Sequence, residues 1–256
     1  MKQLNHLAII LDGNGRWAAN QQKDRSFGHK QGMDKIFDVI LRAKKLNISY
    51  VTLFCFSTEN WSRPKKEVTF LMKIPEKIFN KKQINKYIEE GICIRWVGRR
   101  SVVPNHTKKT LENIENETKD QTKIIVNIAF DYGSDQELEH AVRQIGKDLF
   151  TKKLTLDEMN IETIYNKLYT NLSPKIDFLI RTGGEQRLSN FMLLQLSYAE
   201  MYFTKVYWPD FNEKDFEDAI NSFYLRDRKF GKIEVQNERK NVRRKTIKWT
   251  KSNKSF

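Results

Sequence analysis

Asp12 stands at the end of an apolar run and directly before the turn Gly13-Asn14-Gly15, with Arg16 next in line. A carboxylate, two glycines and a guanidinium at this spacing suit an anion site with a handle for a divalent cation. The glycines admit a ligand close to the backbone N–H groups, and the N-terminus of a following helix favours negative charge. Arg16, Arg25, His29, Arg63, Arg181 and Arg187 supply further cations, and planar guanidinium forks bind phosphate oxygens in pairs. The stretch Arg181-Thr182-Gly183-Gly184-Glu185-Gln186-Arg187-Leu188-Ser189-Asn190 gathers two arginines, a glycine pair and a hydroxyl ahead of an expected helix, which suits a diphosphate. Asp12 and Glu200 are the carboxylates to pair on Mg²⁺, which takes one or two such ligands and completes its shell with water and phosphate oxygens. On its own residues Glu200 is only an acid at the end of an expected helix.

Other chemistries are excluded on spacing. Gly13-Asn14-Gly15-Arg16-Trp17-Ala18 fits the loose dinucleotide fingerprint, but the acid that should end a second strand, Asp34, opens a helical pattern (Ile36, Phe37, Ile40, Leu41). There is no phosphate-binding G-x-x-x-x-G-K-[ST] loop, no G-x-S-x-G elbow and no zinc-type Cys/His cluster.

Apolar runs rich in β-branched residues recur at 7–11, 50–56, 92–97, 123–130, 176–180 and, briefly, 202–207. Patterns of helical length lie at 34–46, 67–90, 105–118, 135–149, 157–170 and 190–200. Such alternation predicts an α/β fold, a single domain whose mostly parallel central sheet of about six strands is covered by helices. Asp12, the cluster Ser57-Thr58-Glu59-Asn60-Trp61, Asp131-Tyr132-Gly133 and Arg181-Thr182-Gly183-Gly184-Glu185 then all fall at carboxyl ends of strands, where open α/β sheets bind ligands.

The chain has 256 residues, 39% of them apolar, enough for one ordinary domain with a short extension. The domain is expected over 1–231 and a flexible basic extension over 232–256. The formal charge is +14, from 46 basic and 32 acidic residues, and the last 25 residues hold nine Lys or Arg against two Glu. That tail suits an anionic lipid surface, or serves only as a solvated terminus. A nucleic-acid partner is disfavoured because no recognised nucleic-acid motif accompanies the charge. With no leader-like segment and no long apolar run, the expected place is the cytoplasm, with peripheral membrane contact through the tail. Cys55 and Cys93 sit in strand-like runs and read as packed, reduced thiols.

Five segments together carry a resemblance. Asp12-Gly13-Asn14-Gly15-Arg16-Trp17-Ala18, Phe27-Gly28-His29-Lys30-x-Gly32, Phe56-Ser57-Thr58-Glu59-Asn60-Trp61-x-Arg63-Pro64, Ile180-Arg181-Thr182-Gly183-Gly184-Glu185-x-Arg187-x-Ser189-Asn190-Phe191 and Trp208-Pro209-Asp210-Phe211 resemble, in order, the signature regions of the cis-prenyltransferases, most nearly the bacterial undecaprenyl diphosphate synthases. The resemblance implies successive addition of isopentenyl diphosphate to an allylic diphosphate such as farnesyl diphosphate, with Mg²⁺ and, as in the family, a homodimer. Asp12 would bind Mg²⁺ and assist departure of the allylic diphosphate, with Glu200 as the second carboxylate. Gly13, Asn14, Gly15, Arg16 and Arg25 would hold that diphosphate, with His29 nearby. Arg181, Arg187 and Ser189, with Leu188 between them, would hold isopentenyl diphosphate. Asn60 is the candidate for assisting proton removal, and Trp17, Ser57, Thr58, Glu59, Trp61, Arg63 and Glu67 would shape the pocket.

The growing lipid needs a dry place, so an apolar product tunnel is expected between sheet and helices. Each five-carbon unit gains about 4 kcal/mol on burial. The face Val68, Leu71, Met72, Pro75, Ile78 and Phe79, kinked at Pro75, would wall it, although plain core packing explains the same pattern. Two departures from the family stand out: Asp131-Tyr132-Gly133-Ser134-Asp135 replaces the usual Asn-Tyr-Gly-Gly-Arg, and Gly98-Arg99 replaces Gly-Asp. Phe130 and Trp96 are bulky in strands expected to face the tunnel, which argues for a product shorter than undecaprenyl. The alternatives are a short-chain synthase of specialised metabolism and a non-catalytic accessory subunit, the latter disfavoured because Asp12, Asn60, Arg181, Arg187 and Ser189 are all present.

Overall fold

A computed structural model describes residues 3–226. The expected basic extension at 232–256, and the last residues of the expected domain, lie outside the described residues. Six strands form one sheet: β1 (His6–Ile10), β2 (Tyr50–Ser57), β3 (Ile92–Val97), β4 (Ile124–Tyr132), β5 (Phe178–Arg181) and β6 (Glu200–Phe203). Their spatial order is β3-β4-β2-β1-β5-β6, and every pairing is parallel. β1 is buried along its whole length because it is covered on both faces: Leu7 and Ile9 enter one core, Ala8 and Ile10 the other. The chain runs from β1 to β2 on one side and later to β5 on the other, so the ends of β1 and β5 flank a switch point, the usual ligand crevice of such sheets.

Nine helices are described: α1 (Asn14–Asn20), α2 (Arg25–Lys45), α3 (Lys65–Met72), α4 (Ile74–Ile78), α5 (Lys81–Glu89), α6 (Asn105–Thr118), α7 (Ser134–Phe150), α8 (Ile161–Tyr165) and α9 (Glu213–Tyr224). The larger core packs α2, α3, α5, α6 and α9 on one face of the sheet, and Ile176, Phe191, Met192 and Leu196 cover part of the other. α1 and α2 touch closely because Gly28 has no side chain; a Cβ there would meet the Asn14 carbonyl oxygen at 1.9 Å. Among the described residues no helix is long and apolar enough to cross a membrane.

Five strands lie within about two residues of their expected places, β6 ends four residues short of the 202–207 run, α2 begins nine residues before the expected 34–46, and three further helical expectations need correction. The pattern at 67–90 forms three short helices, and the chain breaks at Lys73 ahead of Pro75 instead of kinking within one helix. Only α8 forms within 157–170, where side-chain bonds such as Thr155 N–H to Glu158 Oε2 (2.8 Å) favour turns. No helix forms at 190–200. Ser189, Asn190 and Met192 have positive φ, and the local backbone bonds elsewhere: Ser134 N–H to Asn190 O (2.8 Å), Leu193 N–H to Ser134 Oγ (2.9 Å), Ile176 N–H to Gln195 O (3.1 Å). The Arg181–Asn190 stretch therefore does not lead into a helix N-terminus, and Glu200 opens β6 instead of closing a helix.

Buried polar side chains pair across the sheet. His6 Nε2 lies 2.7 Å from Thr52 Oγ1, its Nδ1 lies 2.7 Å from Pro174 O, and Asn127 donates to Thr52 Oγ1 at 3.0 Å. Burial pushes the His6 imidazole down to about 4, against the smaller opposing effects of the Pro174 carbonyl and Asp177.

Candidate active site

A cavity of about 590 Å³ lies beyond the carboxyl ends of β1, β2 and β5 and runs between the sheet and α2, α3, α4 and α6. Its body is apolar, with Phe56, Ile128 and Phe130 from the sheet facing Ile74, Ile78 and Leu111 from the helices. Its polar lining comes from Asp12, Asn14, His29, Ser57, Glu59, Asn60, Arg63, Arg181, Arg187 and Ser189. One enclosure thus joins a cationic region to an oily one.

Asp12 is held between two arginines. Its Oδ2 accepts from Arg181 Nη2 at 2.9 Å, and its Oδ1 lies 3.2 Å from Arg16 Nη2 and accepts from Gly13 N–H at 2.6 Å. Burial works against the charge, but the Arg181 hydrogen bond and the Arg181 and Arg16 charges outweigh it and hold the carboxyl below its ordinary range. Arg181 is itself 4% exposed, and it also reaches Ser189 Oγ at 2.9 Å and the Arg187 carbonyl. Its Nε–H is buried without a hydrogen-bond partner, as is Asn14 Oδ1. A buried guanidinium donor left unpaired is costly, and an anionic oxygen would satisfy it. Gly13 adopts φ 105°, and a Cβ there would strike the Tyr207 ring at 2.6 Å, so this turn requires glycine.

Two acids fix the remaining cations. Glu185 reaches Arg16 at 3.0 Å and Arg187 at 2.5 Å; sequence reasoning quoted it without a role, and its place two residues from Arg187 was the available signal. Glu67 holds Arg63 at 2.9 Å and Arg25 at 3.2 Å, and lies 3.6 Å from His29 Nε2. Burial, then the Arg63 charge, push the His29 imidazole down to about 4, so it is neutral at pH 7. Gly15 leaves room for Arg25, whose Cζ would lie 2.7 Å from a Cβ there. Trp17 stacks on Phe27 with centroids 5.8 Å apart and donates to Asp210 Oδ1 at 2.6 Å, a partner that stands in a signature segment but had no role in the sequence.

The cluster after β2 forms a 3-10 turn over Thr58–Ser62. Asn60 Oδ1 accepts from Ser57 N–H at 3.3 Å, Thr58 Oγ1 bonds Gln136 at 3.0 Å, and Glu59 Oε1 accepts from Asn190 at 2.8 Å. Trp61 Nε1–H donates to Asp131 Oδ1 at 2.7 Å. Arg99 grips the same carboxylate with its Nη2 on Oδ1 and its Nε on Oδ2, both at 3.0 Å. The two departures noted in the sequence are therefore one coupled feature.

Four expectations are not met, or met only in part, within the chain. Glu200 pairs in register with Phe178, which pairs with Leu7, so it lies toward the amino end of the sheet while Asp12 lies beyond the carboxyl end. Glu200 meets Arg226 there at 3.1 Å, and one chain does not bring the two carboxylates onto one metal. Trp96 does not line the cavity; its Nε1–H donates to the Phe130 carbonyl at 2.8 Å. Of the expected tunnel face, Leu71, Pro75, Ile78 and Phe79 line the cavity, while Val68 and Met72 pack in the core. Leu188 packs against the smaller core on the other face of the sheet. Cys55 borders the cavity, and burial pushes its thiol up to about 12.

Comparison with known proteins places these features in a family. Residues 10–231 match the family described as "Putative undecaprenyl diphosphate synthase". An isoprenyl transferase of Bacillus thuringiensis subsp. konkukian is 44% identical over 228 residues, covering 89% of this chain and 88% of that protein. A ditrans,polycis-undecaprenyl-diphosphate synthase of Aliivibrio fischeri, specific for (2E,6E)-farnesyl diphosphate, is 41% identical over 226 residues, 88% of each chain. The crystal structure of lavandulyl diphosphate synthase from Lavandula x intermedia, in complex with dimethylallyl diphosphate, superposes with a TM-score of 0.86 at 33% identity, covering 89% of this chain and 98% of that one.

Proposed function

The chain belongs to the undecaprenyl diphosphate synthase family of isoprenyl transferases, and from that premise we propose that it elongates farnesyl diphosphate with isopentenyl diphosphate units, through cis double bonds, to a polyprenyl diphosphate that serves as a cell-wall lipid carrier. The observation that carries this reading is the single cavity in which Asp12, Arg181 and Ser189 adjoin an apolar body walled by Phe56, Ile78, Leu111 and Phe130. A substrate with a diphosphate head and a hydrocarbon tail matches both parts.

In each step the allylic carbon–oxygen bond breaks, a carbon–carbon bond to isopentenyl diphosphate forms, and one proton leaves. Arg16 and Arg25, with the Gly13–Gly15 turn and neutral His29, hold the allylic diphosphate. Arg181, Arg187 and Ser189 hold isopentenyl diphosphate, and the unpartnered Arg181 Nε–H supports an anion there. Glu185 and Glu67 keep these guanidiniums in place in the free enzyme and yield part of their charge to substrate. Asn60 orients the departing proton; its amide is too weak a base to keep it, so diphosphate or water takes it.

Asp12 fits a Mg²⁺ site: it is an ionised hard oxygen donor lining the cavity, and Mg²⁺ asks little more of a protein when substrate phosphates complete the shell. Among the described residues no three His, Cys, Asp or Glu gather into a metal site, so the cation would rest on Asp12 and diphosphate oxygens. Bound there, Mg²⁺ supplies charge neutralisation for the leaving diphosphate. Phe130, stacked on Phe56 with centroids 5.3 Å apart, narrows the space for the chain and supports an end product shorter than undecaprenyl.

The enzyme works as a cytoplasmic homodimer that passes its lipid to the membrane. Leu138 and Val142, exposed one turn apart on α7, support an apolar partner surface, and the tail's charge supports contact with an anionic bilayer. Incubation with farnesyl diphosphate, labelled isopentenyl diphosphate and Mg²⁺ tests the reading. Label should enter an extractable lipid, and chelation or Asp12→Ala should abolish this; no labelled lipid from any allylic starter overturns it.

A further inference from the structure

We propose that Arg99 and Asp131 are a positioning pair that sets the Thr58–Ser62 turn, and so Asn60, against the reacting carbons, an inference that rests on the prenyl-transfer reading. Asp131 is fully buried at the end of β4, with φ 52°. Its carboxylate accepts three bonds, two from the Arg99 fork and one from Trp61 Nε1–H. Such a carboxylate, once aligned by a two-pronged guanidinium, has one fixed direction left for its third donor. Arg99 is anchored in turn through its backbone N–H on the Asp131 carbonyl at 3.1 Å. That crossing is close enough that a Cβ on the preceding Gly98 would meet the Phe130 carbonyl oxygen at 2.1 Å.

The pair acts on the site through Trp61. The Trp61 ring meets Phe56 edge-on at 5.4 Å, and Phe56 stacks on Phe130 in the cavity wall. The residue before Trp61 is Asn60, which caps its own turn on Ser57 and lines the cavity. The charge sits two contacts away from the substrate space, so neither member is a catalytic residue. The usual residues of the resembled family at these places, Asp and Asn, do not form a guanidinium–carboxylate fork. This chain fixes the same turn with a charged pair, and that makes the two positions interdependent.

The test uses the full chain and steady-state kinetics of R99L, D131N, R99L/D131N and R99K, each assayed well below its melting temperature. R99L leaves a buried carboxylate with Trp61, at 2.7 Å, as its one remaining side-chain donor among the described residues, and kcat should fall about ten- to hundredfold through misplacement of the turn. KM for both substrates should change far less. D131N keeps an acceptor for Trp61 without the buried charge, so R99L/D131N should regain most of the lost kcat. R99K keeps the charge but not the fork and should fall between R99L and the wild type. Loss of stability in R99L with kcat unchanged, or single losses that simply multiply in the double variant, overturns the proposal. Should R99L not fold, a wild-type kcat in R99K overturns it. Failure of the prenyl-transfer reading looks different, because the wild type itself would then form no lipid.

Discussion

Phe130→Ala should lengthen the product at a measurable cost in stability. Phe130 is 3% exposed, lines the cavity and stacks on Phe56. Truncation to alanine removes a six-carbon ring from the wall, room for about one five-carbon isoprene unit, whose burial gains about 4 kcal/mol. The wild-type chain must leave that unit unburied or stop. The ring already borders empty space on one side, so its loss should cost about 3 kcal/mol, the low end for a buried phenylalanine. In a domain of this size that lowers the melting temperature by about 6–12 °C. The assay is thermal unfolding followed by sizing of the lipid formed from farnesyl diphosphate at a temperature where both proteins are folded. The main product should move up by about one unit. An unchanged length from a folded, active variant would refute the claim that this ring limits the chain.

Trp96→Phe should separate core from cavity: losing the 2.8 Å bond to the buried Phe130 carbonyl should cost about 1–3 kcal/mol, with product length unchanged. Glu67→Gln should raise KM for the allylic diphosphate about tenfold through loosening of Arg25 and Arg63, as read from initial rates, with KM for isopentenyl diphosphate little changed. His6 should make stability depend on pH. Its folded pKa is about 4 and its unfolded value about 6.5, so between these the unfolded chain binds more protons and stability falls as the pH drops. The His6 share of the loss is about 3 kcal/mol, complete near pH 4; thermal melts from pH 7 to 4.5 should show it, and His6→Gln should reduce the slope by that share while His29, also held at about 4, keeps its own.

The sheet was legible in the sequence because strands buried on both faces read as nearly continuous apolar runs, as Leu7–Leu11 does and as Ile124–Phe130 does save for the buried Asn127. That Arg181, Arg187 and Ser189 would gather at one place was legible because two arginines, two glycines and a hydroxyl crowd one short stretch, and all three line the cavity. The segment 190–200 was not: its apolar spacing mimics a helix, while Ser189, Asn190 and Met192 have positive φ and Leu193 bonds Ser134, 59 positions away. Glu200 shows the same limit, since no local signal told which end of its strand it would occupy. Arg99 and Asp131 looked like two unrelated departures because they are 32 positions apart, and only the parallel pairing of β3 and β4 brings their strands together. Glu185 lacked a sequence role, and Glu67 had only a general place in the pocket, because a carboxylate near arginines reads as surface charge until its partners are seen beside a cavity.

Mass spectrometry of the lipid made by the purified chain from farnesyl diphosphate and isopentenyl diphosphate with Mg²⁺ tests the central claim most directly. The account predicts a series of polyprenyl diphosphates spaced by one isoprene unit, carrying new cis double bonds, ending short of undecaprenyl, and absent in Asp12→Ala. Recovery of unextended farnesyl diphosphate alone, from protein shown to be folded, would contradict it.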